Sequence, residues 1–224
     1  MYTLTWNKYI AELIGTFALV LFGSMSVTLY AGAGDKLGFL SIAFAHGLTL
    51  LILVYSIGPI SGCHINPAVT IGAWIAKKIS SFEGVMYIIF QLLGAALAGV
   101  VHSAILPAKQ ADFGIPTVAA GNEAAGLVIE AILTFFLVFT IFGTAMNPKS
   151  TPGVAGVAIG MALTLGLIMG GPITGGALNP ARWFGPAIAA NSLGQWYIYI
   201  FGPIIGAGLA AYLYSTLFMK TEKD

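Results

Sequence analysis

Two copies of the tripeptide Asn-Pro-Ala point most directly to a chemistry in this sequence. They are formed by Asn66, Pro67 and Ala68 and by Asn179, Pro180 and Ala181. Asn is a strong helix N-cap, and Pro suits the first helical position because its missing N–H would have no partner there. With the side-chain carbonyl capping its own helix, the NH₂ group of each Asn is left free to point into a pore.

Each tripeptide opens a short apolar stretch, Pro67–Ala76 and Pro180–Ala189. Ten helical residues reach about 15 Å, half of a hydrocarbon core of about 30 Å. If the two half-helices enter from opposite sides, their N-termini meet near the middle, each with roughly half a positive charge. That pair would orient a passing water through its oxygen, interrupt proton relay and repel cations. The alternative is two ordinary capped helix starts.

The composition indicates a membrane protein. Hydrophobic residues make up 58% of the chain, charged residues only 8%, and the mean hydropathy is +0.93, whereas soluble domains carry about 25% charged residues. The net charge of +1, with no basic run beyond Lys77 and Lys78, argues against a nucleic-acid partner. Apolar stretches long enough to span a bilayer as helices occur at 9–30, 39–57, 85–106, 127–146, 154–169 and 196–218.

The two halves of the chain repeat. Gly58–Val69 aligns with Gly171–Arg182, and 7 of the 12 positions are identical. Three spans per half is an odd number, so the second half must insert upside down, and the functional site of such an inverted repeat lies near the midplane. We expect one transmembrane domain, 1–224, with repeats at about 1–108 and 121–219, a linking loop at about 109–120 and a short cytoplasmic C-terminal tail.

Glycine-rich segments lead into both tripeptides. We expect Gly58, Gly62, Gly171, Gly175 and Gly176 to permit extended backbone whose carbonyls line a cavity, since irregular backbone at that depth is tolerated only beside protein or water. The expected pore-lining carbonyls are those of Gly62, Cys63, His64, Gly175, Gly176 and Ala177.

Lysine placement predicts the orientation. With a cytoplasmic N-terminus, the lysines on the inside are Lys8, Lys77, Lys78, Lys149, Lys220 and Lys223. Only Lys36 and Lys109 then lie outside. This bias follows the positive-inside rule, so both termini are expected in the cytoplasm, with the cell membrane as the expected location.

Four features belong together: the paired tripeptides, the Ser61-Gly62…His64…Asn66 lead-in, the Asn-Pro-Ala-Arg sequence ending at Arg182, and Glu12 and Glu130 near the helix starts. Through them the sequence resembles the aquaporin (major intrinsic protein) family over essentially the whole chain. The resemblance implies an all-α membrane protein of six transmembrane helices plus two re-entrant half-helices in an inverted repeat. It also implies a homotetramer in lipid with one pore per subunit, passive conduction of water and small neutral solutes, and no cofactor or bound metal.

The same resemblance implies a selectivity filter of His46, Leu167, Gly176 and Arg182, with Arg182 donating to the solute and repelling cations. His46 is similar to the tonoplast branch, where water-specific members carry Phe, and Leu167 stands where strict water channels carry His. We therefore expect ammonia to pass as well as water, although Pro116–Ala120 lacks the branch's further filter histidine. A glycerol channel is the alternative, but Trp183 stands where those channels place Asp, and it matches neither class.

Several other polar residues allow two interpretations. Glu12 and Glu130 are intramembrane carboxylates, which act as proton or ion sites in some proteins, but the resemblance implies that they brace the re-entrant loops. An ion-coupled transporter would need such acids, and a membrane enzyme is the weakest alternative. Cys63 is expected at the cytoplasmic side of the pore, His64 as a loop anchor, and His102 as an ordinary helix-end histidine rather than a pH gate.

Overall fold

The computed structural model describes residues 6–31, 36–106 and 111–219, and within these ranges every regular element is helical. Six helices there are long and apolar enough to cross a membrane. They are α1 (Trp6–Tyr30), α2 (Lys36–Ser61), α4 (Ser81–Ile105), α5 (Glu123–Ile141), α6 (Ala155–Thr174) and α8 (Trp196–Leu213). Two short helices, α3 (Pro67–Ile75) and α7 (Pro180–Ala189), follow the tripeptides. The predicted fold of six spanning helices and two half-helices is confirmed.

The helices α2 and α6 run further than the hydropathy pattern indicates, so the expectation of extended backbone at Gly58 and Gly171 was wrong. Both residues lie inside the helices, one position before Pro59 and Pro172. A residue before proline is normally pushed out of the helical region by a clash that involves its β-carbon, and glycine has none. The non-helical lead-ins are therefore only four residues long, 62–65 and 175–178.

Two spanning helices end in a wider turn than a regular helix. The helix α5 continues as a π-helical turn at Phe142–Met146, and α8 continues as another at Tyr214–Phe218. The two turns pack together through Tyr214, whose ring stacks edge-on against Phe139 at 4.9 Å and whose hydroxyl accepts a hydrogen bond from Asn147 Nδ2. These contacts join the C-terminal ends of α5 and α8.

Equivalent helices make equivalent contacts in the two repeats. The helix α1 packs on α4 and α5 packs on α8, and α2 of one repeat packs on α6 of the other. A β-carbon on Gly94 would collide with the carbonyl oxygen of Leu13, and one on Gly206 with that of Ala131. The crossing backbones therefore touch, as small residues allow between membrane helices. Each half-helix packs on the last spanning helix of the other repeat, α3 on α8 and α7 on α4.

The outer surface of the bundle is apolar. Large side chains with more than half of their area exposed occur along all six spanning helices, and they include Phe22, Ile52, Leu93, Phe136, Leu165 and Leu209. An exposed apolar surface this extensive fits a lipid environment and no aqueous one. The protein is an integral membrane protein.

The first lead-in is held by Glu12 of α1, which is fully buried. One carboxylate oxygen accepts from Ser61 Oγ at 2.7 Å and from the His64 N–H at 2.9 Å, and the other accepts from the Ile65 N–H at 2.6 Å and from Gln91 Nε2 at 2.7 Å. Four donors on one carboxylate leave no capacity for an ion ligand, because two oxygens provide about four acceptor sites. The carboxylate therefore fixes the loop that delivers Asn66 to the start of α3.

The second lead-in is held in the same way by Glu130 of α5, also fully buried. Its oxygens accept from Thr174 Oγ1 at 2.6 Å and from the N–H groups of Ala177 at 2.9 Å and Leu178 at 2.7 Å. These are the repeat equivalents of the Ser61, His64 and Ile65 bonds. The start of α7 at Asn179 therefore depends on one buried carboxylate.

Glu130→Gln is expected to destabilise the fold, because an amide NH₂ replaces an oxygen that accepts from a buried donor. An unsatisfied buried donor costs about 1–3 kcal/mol, so we expect a clearly lower apparent unfolding temperature in detergent and slower swelling of proteoliposomes. Glu123→Gln, in the first turn of the same helix at a partly exposed position, is the matched control and should behave as wild type. An unchanged unfolding temperature for Glu130→Gln would contradict the bracing role.

Candidate functional site

The two tripeptides begin their helices as the capping chemistry predicts. Asn66 and Asn179 have extended backbone, with φ of −158° and −156°, and each is followed by proline at the first helical position. The Oδ1 atom of Asn66 accepts from the Ala68 N–H at 2.9 Å, and that of Asn179 accepts from the Ala181 N–H at 2.9 Å. Both side chains are thus fixed in direction by their own helices.

The amide nitrogens of the two Asn residues are not wholly free, contrary to the sequence-based expectation. Asn66 Nδ2 donates to the Leu178 carbonyl at 2.9 Å, and Asn179 Nδ2 donates to the Ile65 carbonyl at 3.0 Å. Each amide therefore reaches across to the lead-in of the opposite repeat. An NH₂ group has two hydrogens, so each Asn keeps one donor, and both residues line the same cavity.

Both lead-ins use left-handed backbone at equivalent positions. Positive φ angles occur in the first at Gly62, Cys63 and Ile65 and in the second at Gly175, Gly176 and Leu178. Of the six residues whose carbonyls were expected to line the pore, the cavity is bordered by Gly62, Cys63, His64 and Ala177, and it does not border Gly175 or Gly176.

The His64 side chain is turned into the protein around the first lead-in. Its Nδ1 lies 3.2 Å from Thr70 Oγ1, and its ring meets Tyr87 edge-on at 5.2 Å. The Tyr87 hydroxyl in turn donates to the Ser61 carbonyl at 2.7 Å. These contacts attach His64 to α3 and α4.

One cavity of about 360 Å³ connects these groups. It extends from Thr144, Ala145 and Met146 of the π-helical turn after α5, past the two Asn residues, to His46 and Arg182. Most of the remaining wall is apolar and comes from four spanning helices and α3, with side chains that include Leu19, Leu50, Val54, Val69, Leu137, Ile141, Ile159 and Leu163. A molecule inside meets few polar partners except at the two Asn residues and at Arg182.

Arg182, the second residue after Pro180 in α7, closes one end of the cavity and is 2% exposed. Its Nε donates to His46 Nε2 at 3.0 Å, and its Nη1 donates to the Gly114 carbonyl at 2.8 Å. These bonds use two of the five N–H groups of the guanidinium. The plane of the group is therefore fixed by α2 on one side and by the segment between the repeats on the other.

The tautomer of His46 follows from its two bonds. Because Nε2 accepts from Arg182, the ring proton lies on Nδ1, which donates to the Ile42 carbonyl at 2.9 Å. Both ring nitrogens are thus occupied by the protein. The part of His46 that borders the cavity offers carbon atoms, and the polar groups at this end come from Arg182.

The other two residues expected in the filter lie together. A β-carbon on Gly176 would be 3.3 Å from Leu167 Cα, and Leu167 is 2% exposed. Neither Leu167 nor Gly176 borders the cavity that extends from Thr144 to Arg182. The assignment of His46, Leu167, Gly176 and Arg182 as a selectivity filter stays a prediction.

The sequence did not reveal the role of the Ala111–Gly114 turn. Asp112, Phe113 and Gly114 all have positive φ there, which aims the Gly114 carbonyl at Arg182. A backbone carbonyl carries no sequence signal. The segment that follows is clasped by Gln195, whose side chain accepts from the Val118 N–H at 2.9 Å and donates to the Val118 carbonyl at 2.8 Å.

Two further residues have defined surroundings. His102 is fully buried, with Nδ1 2.9 Å from Ser24 Oγ and Nε2 3.1 Å from Thr28 Oγ1. The Trp183 ring lies parallel to Tyr199 of α8, with 6.1 Å between ring centroids. Both side chains therefore pack between helices.

The sequence matches the family model described as "Major intrinsic protein" over residues 2–214. It is 40% identical to "Probable aquaporin TIP2-1" of Oryza sativa subsp. japonica over 95% of this chain and 88% of that protein. It is 34% identical to "Aquaporin NIP1-1" of Zea mays over 94% of this chain and 74% of that protein.

The fold is similar to that of the crystallised aquaglyceroporin from Plasmodium falciparum, with a TM-score of 0.83 and 22% identity over 95% of this chain and 96% of that one. At that identity the likeness concerns the fold alone. The family match over nearly the whole sequence and the paired half-helices lead to the same result. The chain belongs to the major intrinsic protein (aquaporin) family and is a passive membrane channel for water and small solutes.

Proposed function

We propose that this channel conducts water and ammonia and excludes ions and protons. The observation that carries the proposal is that a single apolar cavity runs from the α5–α6 connection past both Asn residues and ends at the His46–Arg182 pair. No lid and no charged ligand set interrupts this path within the described residues. Such a path fits passive conduction, and the proposal includes that the chain has no enzymatic activity.

The proposed barrier to protons and cations lies at Asn66 and Asn179. The N-termini of α3 and α7 each carry roughly half a positive charge, and each Asn retains one N–H donor. A water that accepts both bonds through its oxygen has its hydrogens turned away, so it cannot relay a proton through the centre. An uncharged solute crosses the same place at little cost.

The proposed choice among neutral solutes is made by His46, Leu167, Gly176 and Arg182. Because both His46 nitrogens are engaged, the free N–H groups of Arg182 supply the polar contacts and can donate to the lone pair of ammonia or water. The neighbouring walls, a histidine carbon edge and Leu167, are apolar. Relatives named as aquaporins of type TIP2-1 support water as one of the conducted molecules.

We also propose a homotetramer in the cell membrane with both termini in the cytoplasm. The orientation rests on the larger number of lysines in the segments expected on the cytoplasmic side. Three of the lysines that were counted, Lys109, Lys220 and Lys223, lie outside the described residues. Lys77 and Lys78 follow the C-terminal end of α3, and Lys149 follows the cavity-lining residues Thr144, Ala145 and Met146, so this orientation places that end of the cavity on the cytoplasmic side. The repeat boundaries at about 108 and 121 belong to the same proposal.

Proteoliposomes under an ammonium gradient test the solute range. Ammonia that enters raises the internal pH, so stopped-flow alkalinisation should be faster with the channel than in protein-free vesicles, and water-driven volume change should be faster too. Membrane current should stay at the protein-free level, because the barrier excludes ammonium ions. Glycerol swelling in the same vesicles compares the alternative solute. Alkalinisation equal to that of protein-free vesicles would contradict ammonia conduction.

Cys63 provides a second test, because this buried thiol lines the cavity just before the Asn66 tripeptide. A mercurial on its sulfur would occupy the path, so water permeability should fall after modification and recover with a reducing thiol. Cys63→Ser should conduct and resist the reagent. Since Cys63 is the one cysteine of the chain, full permeability after confirmed modification would reject a pore-lining position.

A further inference from the structure

Gly23 of α1 lies directly behind the His46 ring. Gly23 is buried, and a β-carbon built on it would be 2.7 Å from His46 Cδ2 and closer still to Nε2. Carbon atoms do not approach so closely, so the ring occupies the space that a side chain at position 23 would need. Gly23 itself does not border the cavity, and the ring stands between it and the cavity.

The ring is also held on its other sides. Nδ1 donates to the Ile42 carbonyl at 2.9 Å, and Nε2 accepts from Arg182 Nε at 3.0 Å. An added methyl group on α1 would therefore have one way to displace the ring, which is toward the cavity and away from its bond to Arg182. Overpacking a well-filled site forces such shifts.

The next residue of α1 backs the second bond of Arg182. A β-carbon on Gly114 would lie 2.7 Å from the Ser24 carbonyl oxygen, so the Ala111–Gly114 turn packs directly on α1 there. The carbonyl of that same Gly114 accepts from Arg182 Nη1. Both groups that orient the guanidinium thus rest on one short stretch of α1.

We propose that Gly23 is a positioning residue that sets the selectivity of the channel by seating the His46 ring against α1. This inference rests on the proposed function, in which His46 and Arg182 form the narrow part of the pore. With glycine at position 23, the His46 ring lies against α1, stays out of the path and accepts the hydrogen bond from Arg182 Nε. A larger residue pushes the ring into the path and releases the Arg182 Nε and His46 Nε2 groups.

A purely structural role for Gly23 would be close packing of α1 on α2. Gly156 of α6 provides a matched control for packing. A β-carbon there would be 2.6 Å from Cζ of Tyr55, whose aromatic ring belongs to α2, as the His46 ring does. Tyr55 does not border the cavity, and its hydroxyl donates to the carbonyl of Gly153, which lies just before α6. Gly156→Ala thus crowds the same helix without touching His46.

The test compares wild type, Gly23→Ala, His46→Ala, the double variant and Gly156→Ala in proteoliposomes, with water and ammonia permeabilities normalised to folded protein. Gly23→Ala should lower water permeability by about ten-fold and change the ammonia-to-water ratio. On a His46→Ala background, the same Gly23→Ala change should alter both permeabilities by less than about two-fold. Gly156→Ala should keep the wild-type ratio.

Wild-type permeabilities for folded Gly23→Ala, or an equal effect of Gly23→Ala with and without the His46 ring, would overturn the inference. If Gly23→Ala alone fails to fold, the double variant decides: restored folding and conduction support the seating of the ring, and continued misfolding overturns it. A His46→Ala channel with wild-type permeabilities would instead reject the filter assignment itself, and this inference with it.

Discussion

The hydrocarbon of a bilayer offers no hydrogen-bond partner to the backbone of the two re-entrant loops, so each N–H group that is turned away from the cavity needs an acceptor inside the protein. Glu12 and Glu130 supply it. Each carboxylate gathers two consecutive backbone N–H groups and a neighbouring hydroxyl, and Glu12 also accepts from Gln91. Without these acceptors the left-handed lead-ins would carry unpaired donors in hydrocarbon, and the half-helices would lose their fixed starting points.

The centre of the cavity is a joint product of both repeats. The amide of Asn66 caps its own helix through oxygen and binds the Leu178 carbonyl through nitrogen, and Asn179 does the same with Ile65. Each lead-in therefore aligns the donor of the opposite one. This reciprocal arrangement keeps the two positive helix ends at one point, which is what a barrier to cations requires.

The symmetry of the repeats is broken at one end of the cavity. Arg182 occupies the position that Val69 holds in the first repeat, so only one half-helix carries a cation. Its orientation depends on His46 of α2 and on the Gly114 carbonyl, which belongs to neither repeat as the sequence divides them. In the proposed function, selection among neutral solutes at Arg182 is thereby separated in space from the exclusion of ions at the two Asn residues, and the wall between the two places is mostly apolar.

The sequence by itself determined the features that depend on local chemistry or on comparison of the two halves. Hydropathy indicated six spans, Asn followed by Pro indicated the two half-helix starts, and the alignment of Gly58–Val69 with Gly171–Arg182 indicated the inverted repeat. Only the tertiary structure decided which contacts complete the pore, because they join residues 68 to 136 positions apart. Several of these partners are backbone carbonyls, and the seat of His46 is a glycine. A backbone carbonyl is present in every residue, and glycine has no side chain, so the residue types alone could not predict these contacts.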